Sequence, residues 1–516
     1  MAVILLRLSL FSVAVASTYL AFSFSYSGWG ALAWMAPPLL AVLLTDQTPR
    51  KSSIILGFYA MFCWLAITWW LAVGVNSMNS SYPMAGYLVV LTLAGLCAIP
   101  YWIAGWLCGR LGLFNSNQFR PLTAAALLTI AVDLWPARLP GTLAHCLYQQ
   151  TLLVQIVDLG GTGLLSFLIY GSGFAGAAAL LPSQKQRMRY ALIAFLPLAL
   201  TLLYGMERLG HWSKYIEQSQ KLRITMVQPN LPIRDIESPN SEGNSLDTLI
   251  AQTETLLRDE TRQDLIVWPE IPIYFSPFNF PENQQALDRL LAGKRTPLLL
   301  NADLFTNETV YDRVPYYNTV QLFQGSGEIK QEYRKMILVP FGEYLPLENW
   351  MTGPRWERVL AGFRRYVPGN SVTVINPLPG VVTGTPVCLE ALHTDHVGEM
   401  INRGANVLIN PANDAYFGTT RGAEIDFSLT VFRAIEYRIP MVRATNSGIS
   451  ALIDQRGIID SDSLMTPFTA DHRTVAVAPS SERKRLPPRS AGLIALSVLA
   501  LLGIWRASRS SRSSLP

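Results

Sequence analysis

The sequence predicts an α/β domain inserted between the seventh and eighth helices of a polytopic α-helical membrane domain, and three observations carry that prediction. Apolar runs separated by short basic or Gly/Ser loops fill the chain from Leu8 to Tyr204. From Lys221 to about Pro479 the composition is that of an ordinary soluble domain, with short β-rich runs alternating with helical patterns, which is how a layered α/β architecture with covered sheets reads. One more apolar run, Ala491 to Trp505, follows it.

A membrane-spanning helix needs about 20 apolar residues. Candidates are Leu8 to Phe24, Trp29 to Leu44, Ile54 to Val75, Met84 to Leu107, Leu122 to Trp135, Gly160 to Leu181 and Tyr190 to Tyr204, with the 491–505 run as the eighth. Ala14-Val-Ala-Ser17 faintly resembles a leader cleavage site, but the apolar run continues past it and others follow, which favours a retained span. Basic residues in short loops set orientation. Arg7, Arg50, Lys51, Arg110, Arg120, Lys185, Arg187, Arg189, Arg506, Arg509 and Arg512 fall on one side if every run spans, which makes that side cytoplasmic; Arg138 lies opposite. The odd number of spans then delivers the soluble domain to the outer face. Arg483, Lys484, Arg485 and Arg489 run against this, yet long translocated domains override such clusters. The net charge of +5 is therefore mostly a topology signal and gives no reason to expect a nucleic-acid partner. The expected division is a bundle over 1–205, a linker over 206–221, a catalytic domain over 222–479, and a final helix and cytoplasmic tail over 480–516.

Within the soluble part, Leu222 to Gln228 alternates and is β-branched, while Leu265 to Trp268 and Thr296 to Asn301 read as short buried strands. Thr319 to Phe323 and Glu328 to Tyr333 bracket Gln324-Gly-Ser-Gly327 as a hairpin. Val381 to Val387, Asn406 to Asn410 and Met441 to Arg443 follow, with a second hairpin of Ile449 to Ile453 and Ile458 to Ile459 around Asp454-Gln-Arg-Gly457. Ser245 to Arg258, Asn283 to Leu291, Leu392 to Arg403 and Glu424 to Tyr437 carry helical periodicity.

Cys388 is the only cysteine between Glu207 and Arg489; Cys63, Cys97, Cys108 and Cys146 lie in the apolar part, so no disulfide framework is visible. It follows the apolar run Val381-Val-Thr-Gly-Thr-Pro-Val387. A thiol at neutral pH is only slightly ionised and needs a base or a positive charge beside it to act as a nucleophile. Glu270, at the end of Asp264-Leu-Ile-Val-Trp-Pro-Glu270, can take the proton. Lys335, at the start of Tyr333-Arg-Lys-Met-Ile-Leu-Val-Pro-Phe-Gly-Glu343, which reads as another strand, can hold both the thiolate and the oxyanion formed when a carbonyl is attacked. If Cys388 sits on a strand-to-helix elbow, the backbone N–H of Leu389 is a second oxyanion donor. The reaction class is acyl transfer through a thioester. Taken singly, each residue has a plainer explanation: a buried cysteine is more often a small core residue, Trp-Pro-Glu is a strand ending in a turn, and Lys335 with Glu343 is a surface pair. Their joint order favours chemistry.

The strings Val267-Trp-Pro-Glu270, Arg334-Lys335 with Leu338-Val-Pro-Phe-Gly-Glu343, Pro386-Val-Cys388-Leu-Glu390, Asn413-Asp-Ala-Tyr-Phe-Gly418 and Arg443-Ala-Thr-Asn-Ser-Gly448 resemble the nitrilase superfamily. Within it, the membrane part and the Val-Pro-Phe-Gly-Glu string resemble the apolipoprotein N-acyltransferase family, as do Gln155, Asp158, Gly160, Gly163, Ser166 and Phe167. The resemblance implies a four-layer α-β-β-α sandwich on a helical membrane base in the cell inner membrane, with the catalytic domain on the periplasmic face. It implies that Cys388 takes an acyl chain from a phospholipid and passes it to the α-amino group of a diacylglyceryl cysteine at the N-terminus of an apolipoprotein. Glu270 would be the base and Lys335 the stabilising cation; Glu343 matches the family's additional carboxylate, and Glu390 the acidic residue two places after the nucleophile. No metal or soluble cofactor is implied. Leu389 stands where the family usually has tyrosine, and Ile233-Arg-Asp-Ile236 lacks a tryptophan common there.

The lipid reading has a physical basis of its own. Each buried CH2 holds a lipid in the bilayer by about 0.8 kcal/mol, so the thiol must work at the membrane surface. Asn349-Trp-Met-Thr-Gly-Pro-Arg-Trp-Glu-Arg358, continuing to Phe363-Arg-Arg-Tyr366, mixes aromatics and arginines as an interfacial arm or an ordinary loop would, and Tyr274-Phe-Ser-Pro-Phe278 either lines an acyl entrance or packs in the core. Asp133 interrupts an apolar run and calls for a partner, a cavity or a helix end. His393 and His396, without further ligands, make a poor metal site. Two other functions fit the residues: a membrane-tethered amidase with water as second nucleophile, and a non-catalytic lipoprotein-binding module.

Overall fold

The computed structural model describes residues 1–516 except 79–83, 137–138, 140, 182–185, 233–241, 259–262, 271–280, 293–295, 307–314, 325–328, 347, 351–364, 468, 483–487 and 513–516. The 274–278 segment, Ile233 to Ile236 and most of the 349–366 arm therefore lie outside the described residues. Every apolar run is helical. Among the described residues, five helices are long and apolar enough to cross a membrane: α1 (Ala2–Ser23), α3 (Pro49–Thr68), α5 (Ala85–Arg110), α8 (Val157–Leu180) and α9 (Arg187–Gln218). Shorter apolar helices cover Trp29–Leu44, whose second half is α2 (Ala36–Leu44), α6 (Pro121–Asp133), and Arg489–Trp505 within the last helix. The run expected as one span from Ile54 to Val75 is two helices, α3 and α4 (Trp70–Met78), separated at Trp69. Thr68 Oγ1 donates back to Trp64 O at 2.6 Å there, a local bond that competes with helix continuation. The short α7 (Thr151–Val154) precedes α8, and the 206–221 segment is not a separate coil, because α9 continues through Gln218.

The polar domain contains two sheets. The first has the order β11-β1-β2-β3-β4-β5 and the second β10-β9-β8-β7-β6. Their strands are β1 (Leu222–Gln228), β2 (Leu265–Val267), β3 (Leu298–Phe305), β4 (Tyr316–Phe323), β5 (Ile329–Arg334), β6 (Ile375–Leu378), β7 (Val381–Gly384), β8 (Val407–Ala412), β9 (Met441–Thr445), β10 (Ala451–Ile453) and β11 (Asp471–Val477). Side-chain alternation divides the first sheet cleanly. Ile224, Met226, Leu265, Val267 and Leu299 join the core shared with the second sheet, while Val227, Ile266, Trp268, Leu298 and Leu300 pack under α10 (Glu242–Arg258) and α11 (Pro281–Leu291). The second sheet is covered by α12 (Thr394–Asn402) and α13 (Gly422–Tyr437), giving the four α-β-β-α layers. The expected hairpin after β10 is reduced to a single bridge, Ile453 with Ile459.

All of α13 but Glu424 is buried, and a helix apolar or paired on nearly every side is one enclosed by other elements. Its end forms the joint with the membrane helices. Arg438, fully buried and left-handed at φ 54°, donates to Asp158 Oδ2 at 2.8 and 3.0 Å and to Gln155 Oε1 at 2.6 Å. Phe432 meets His145 edge-on at 4.9 Å, Phe417 meets Trp70 at 4.5 Å, and Arg421 lies 3.9 Å from the Phe24 ring. The last helix, α14 (Pro488–Arg512), closes on α8 where Gly160 and Gly161 interrupt the helical backbone; a Cβ on Gly492 would collide with Gly160 O.

Candidate active site

Three chain segments bring carboxylate, ammonium and thiol to the same place between the sheets. Pro269 offers no N–H to extend β2, so the chain leaves the sheet at Trp268, whose N–H makes the last ladder bond to Leu299 O at 2.9 Å. The next residue but one, Glu270, instead donates its N–H across to Ala412 O on β8 at 3.3 Å, which ties it to the second sheet. Lys335 is the first residue past β5 and keeps one ladder bond, N to Asn318 O at 2.9 Å. Its fully buried Nζ donates to Glu270 Oε1 and to Glu343 Oε1, each at 2.9 Å. Asn318 Nδ2 donates to the same two oxygens at 3.0 and 3.3 Å. Glu343 lies in a turn containing Phe341 at φ 65°, and its Oε2 accepts the Val339 N–H at 2.8 Å.

Cys388 begins a 3-10 turn, Cys388–Leu392, four residues beyond the end of β7 at Gly384, and takes φ 52°. This is the strand-to-helix elbow, with Leu389 next in the turn. Glu390 joins the elbow to the lysine segment: its carboxylate accepts from Val387 N at 2.8 Å, Met336 N at 2.7 Å, Ile337 N at 2.9 Å and Tyr333 Oη at 2.8 Å. A buried carboxylate is tolerated when donors surround it in this way.

The electrostatics follow from burial and these contacts. Burial pulls the Lys335 ammonium downward, but Glu270 and Glu343, with Cys388, outweigh it and hold its pKa well above the usual lysine range. Burial pushes Glu343 upward against the opposing pull of Lys335. The Cys388 thiol is held well above its usual range, by burial first and Glu270 second, with Lys335 pulling the other way. Cys388 is thus a thiol at rest with a carboxylate and an ammonium beside it, and it could act as a nucleophile only after giving its proton to a base.

Glu270, Lys335, Glu343 and Cys388 converge, Glu390 lies behind them as a tether, and Leu389 flanks the thiol. His396 faces inward, with Nε2 2.9 Å from Tyr333 Oη. Asp133 lines a cavity of about 250 Å³ between bundle and polar domain, with Arg433, Arg489 and His393, and its backbone oxygen accepts from Arg489 Nη2. Asn318 and Tyr333 escape sequence reasoning because each sits inside an ordinary strand pattern. Asn410 escapes it too, although the Arg443 string pointed to the strand beside it.

Two family models match the chain, one to each of its parts. Residues 207–475 match the carbon-nitrogen hydrolase family, and the chain belongs to it. Residues 16–175 match the apolipoprotein N-acyltransferase N-terminal domain. An apolipoprotein N-acyltransferase of Geobacter metallireducens is 28% identical over 466 residues, 87% of this chain and 85% of that protein. One from Brucella melitensis is 28% identical, covering 81% of this chain and 79% of the relative, and one from Sinorhizobium medicae is 37% identical over 38% of this chain and 37% of its own length. Among solved structures, Nit3 of Saccharomyces cerevisiae, a nitrilase-superfamily member, aligns at TM-score 0.36 and 17% identity over 50% of this chain and 91% of its own. An amidase from Nesterenkonia aligns at TM-score 0.37 and 16% identity over 51% of this chain and 92% of its own.

Proposed function

We propose that this protein is an apolipoprotein N-acyltransferase of the inner membrane, with its catalytic domain on the periplasmic face. The observation that carries the reading is the Lys335 ammonium held between two buried carboxylates beside a cysteine on an elbow, in a domain docked on apolar helices. The names of its relatives supply the substrates.

In the first half-reaction Glu270 takes the Cys388 proton and the thiolate attacks an ester carbonyl of a phospholipid. Lys335 Nζ and the Leu389 N–H receive the oxyanion. The C–O bond then breaks, the lysophospholipid alkoxide recovers the proton from Glu270, and Cys388 carries a thioester. In the second, the α-amino group of a diacylglyceryl cysteine attacks that thioester and yields its proton to Glu270. The C–S bond breaks, an amide remains, and the proton returns to the thiolate. Glu343 and Asn318 keep Lys335 and Glu270 in register throughout.

Mass spectrometry of the purified full chain after incubation with phospholipid tests the reading. The expected result is a fatty-acyl adduct on Cys388, absent from Cys388→Ala, that disappears when a diacylated lipopeptide is added and gains an amide-linked third chain. Steady release of free fatty acid or ammonia without that product would establish hydrolysis instead. Lipoprotein binding undiminished in Cys388→Ala, with no adduct on the wild type, would establish a binding module.

A further inference from the structure

Beneath the elbow lies a buried ionic cluster that takes no part in the proton transfers above. Arg443 on β9 is completely buried; its Nη1 donates to Asn410 Oδ1 at 2.6 Å, and its Nη2 donates to Asp414 at 3.0 and 3.1 Å and to Asp426 at 2.6 Å. Asn410, on the neighbouring β8, directs its Nδ2 to Pro386 O at 2.7 Å and to Cys388 O at 3.2 Å. Those carbonyls bracket the turn that puts Cys388 at φ 52°. A side-chain-bearing residue keeps that left-handed conformation only where its surroundings determine it. The amide of an asparagine can be turned end for end at nearly the same shape, so something must choose which end faces the elbow. Arg443 and the two elbow carbonyls enforce that choice together, because a guanidinium only donates and so pairs with the amide oxygen, while the carbonyls only accept and so take the NH2 end; Asp414 and Asp426 hold the guanidinium in turn.

We propose that Asn410 and Arg443 are positioning residues, a two-part brace across β8 and β9 that fixes the backbone of the nucleophile and so aims its thiol at Glu270 and Lys335. The inference rests on Cys388 being the nucleophile. Its test compares Asn410→Ala, Arg443→Lys and the double variant in the full-length protein, reading kcat and KM for acyl transfer and the pH profile of Cys388 alkylation by iodoacetamide. Asn410→Ala should lose about ten- to hundredfold in kcat through misplacement of the thiol, with donor KM held within about twofold because binding is untouched. Its alkylation profile should move although no charge has changed. Arg443→Lys should shift both readouts in the same direction, and the double variant should be no slower than Asn410→Ala, since Arg443 acts through Asn410. Asn410→Ser, which retains one donor, should recover part of the loss and serves if the alanine variant does not fold. Unchanged kcat and alkylation in the Asn410 variants, or losses that multiply in the double variant, would overturn the brace. Alkylation needs no acyl substrate, so a wild-type protein that never acquires an acyl chain would sink the acyltransferase reading while this readout still judges the brace.

Discussion

At the scale of single residues, replacing Lys335 by methionine removes the ammonium that faces both carboxylates and the thiol. Acyl-adduct formation should slow by about 10²- to 10³-fold, the usual loss on removing one oxyanion donor, and alkylation of Cys388 should require higher pH, because Lys335 pulls that thiol downward. Glu390→Gln keeps the shape but loses an acceptor that serves four groups. It should lower stability by about 1–3 kcal/mol, measured by thermal melting, and release the Met336 and Ile337 backbone beside Lys335. Asp414 gives a pH signature: burial raises its pKa from 3.8 to about 7, against the pull of Arg443. The folded state therefore holds that proton more tightly than the unfolded one. The stability this provides is complete below pH 3.8 and is lost as pH rises through about 7, so Asp414→Asn should flatten the fall in melting temperature across that interval. Glu270, Lys335 and Cys388 were legible in the sequence as residue types in a meaningful order, Glu270 at a strand end and Cys388 after an apolar run. Lys335, expected at the start of a strand, instead follows the end of β5, because Pro340 and the turn through Phe341 break the apolar run after it. Asn318 was not, since an asparagine inside a strand carries no mark of the two carboxylates it will meet.

Elements show a similar division. Strands with apolar alternation, such as β1, or buried apolar runs, such as β2 and β8, could be read directly, and so could the amphipathic helices that cover the sheets. β6 and β11 could not. Both lie at sheet edges, and β11 begins Asp471-His-Arg-Thr, so half of it carries none of the apolar period that marks a buried strand. The continuation of α9 beyond Tyr204 was hidden for the opposite reason, because its polar composition after the apolar run looks like a linker. In the bundle, the Gly160–Gly161 interruption lets α14 approach α8 closely. Gly492→Ala forces a methyl group into Gly160 O and should destabilise this seam by about 1–3 kcal/mol, seen as a lower melting temperature in detergent.

Across the whole molecule, the proposed orientation expects a cysteine introduced at exposed Arg403 to react with a membrane-impermeant maleimide in intact spheroplasts, and one introduced at exposed Arg50 to react only after lysis; the native cysteines are buried. The joint between the two parts is equally testable. Asp158→Asn leaves the Arg438 guanidinium buried without its counter-charge, a change that typically costs about 3–5 kcal/mol, and should lower the melting temperature more than any substitution of an exposed ion pair. The eight apolar runs were visible in advance, whereas this joint was not, because Arg438 lies 280 residues beyond Asp158 and 283 beyond Gln155, and only folding shows them to be partners. With α13 packed among other elements and Arg438 paired with Asp158 in the bundle, the polar domain is fastened to the apolar helices, and under the proposed function the sulfur would keep one height over the hydrocarbon. A site so fastened would not tilt toward its substrates, so a lipid of unusual depth or a lipoprotein with a short tether would have to lift or sink its own reactive group to reach that level.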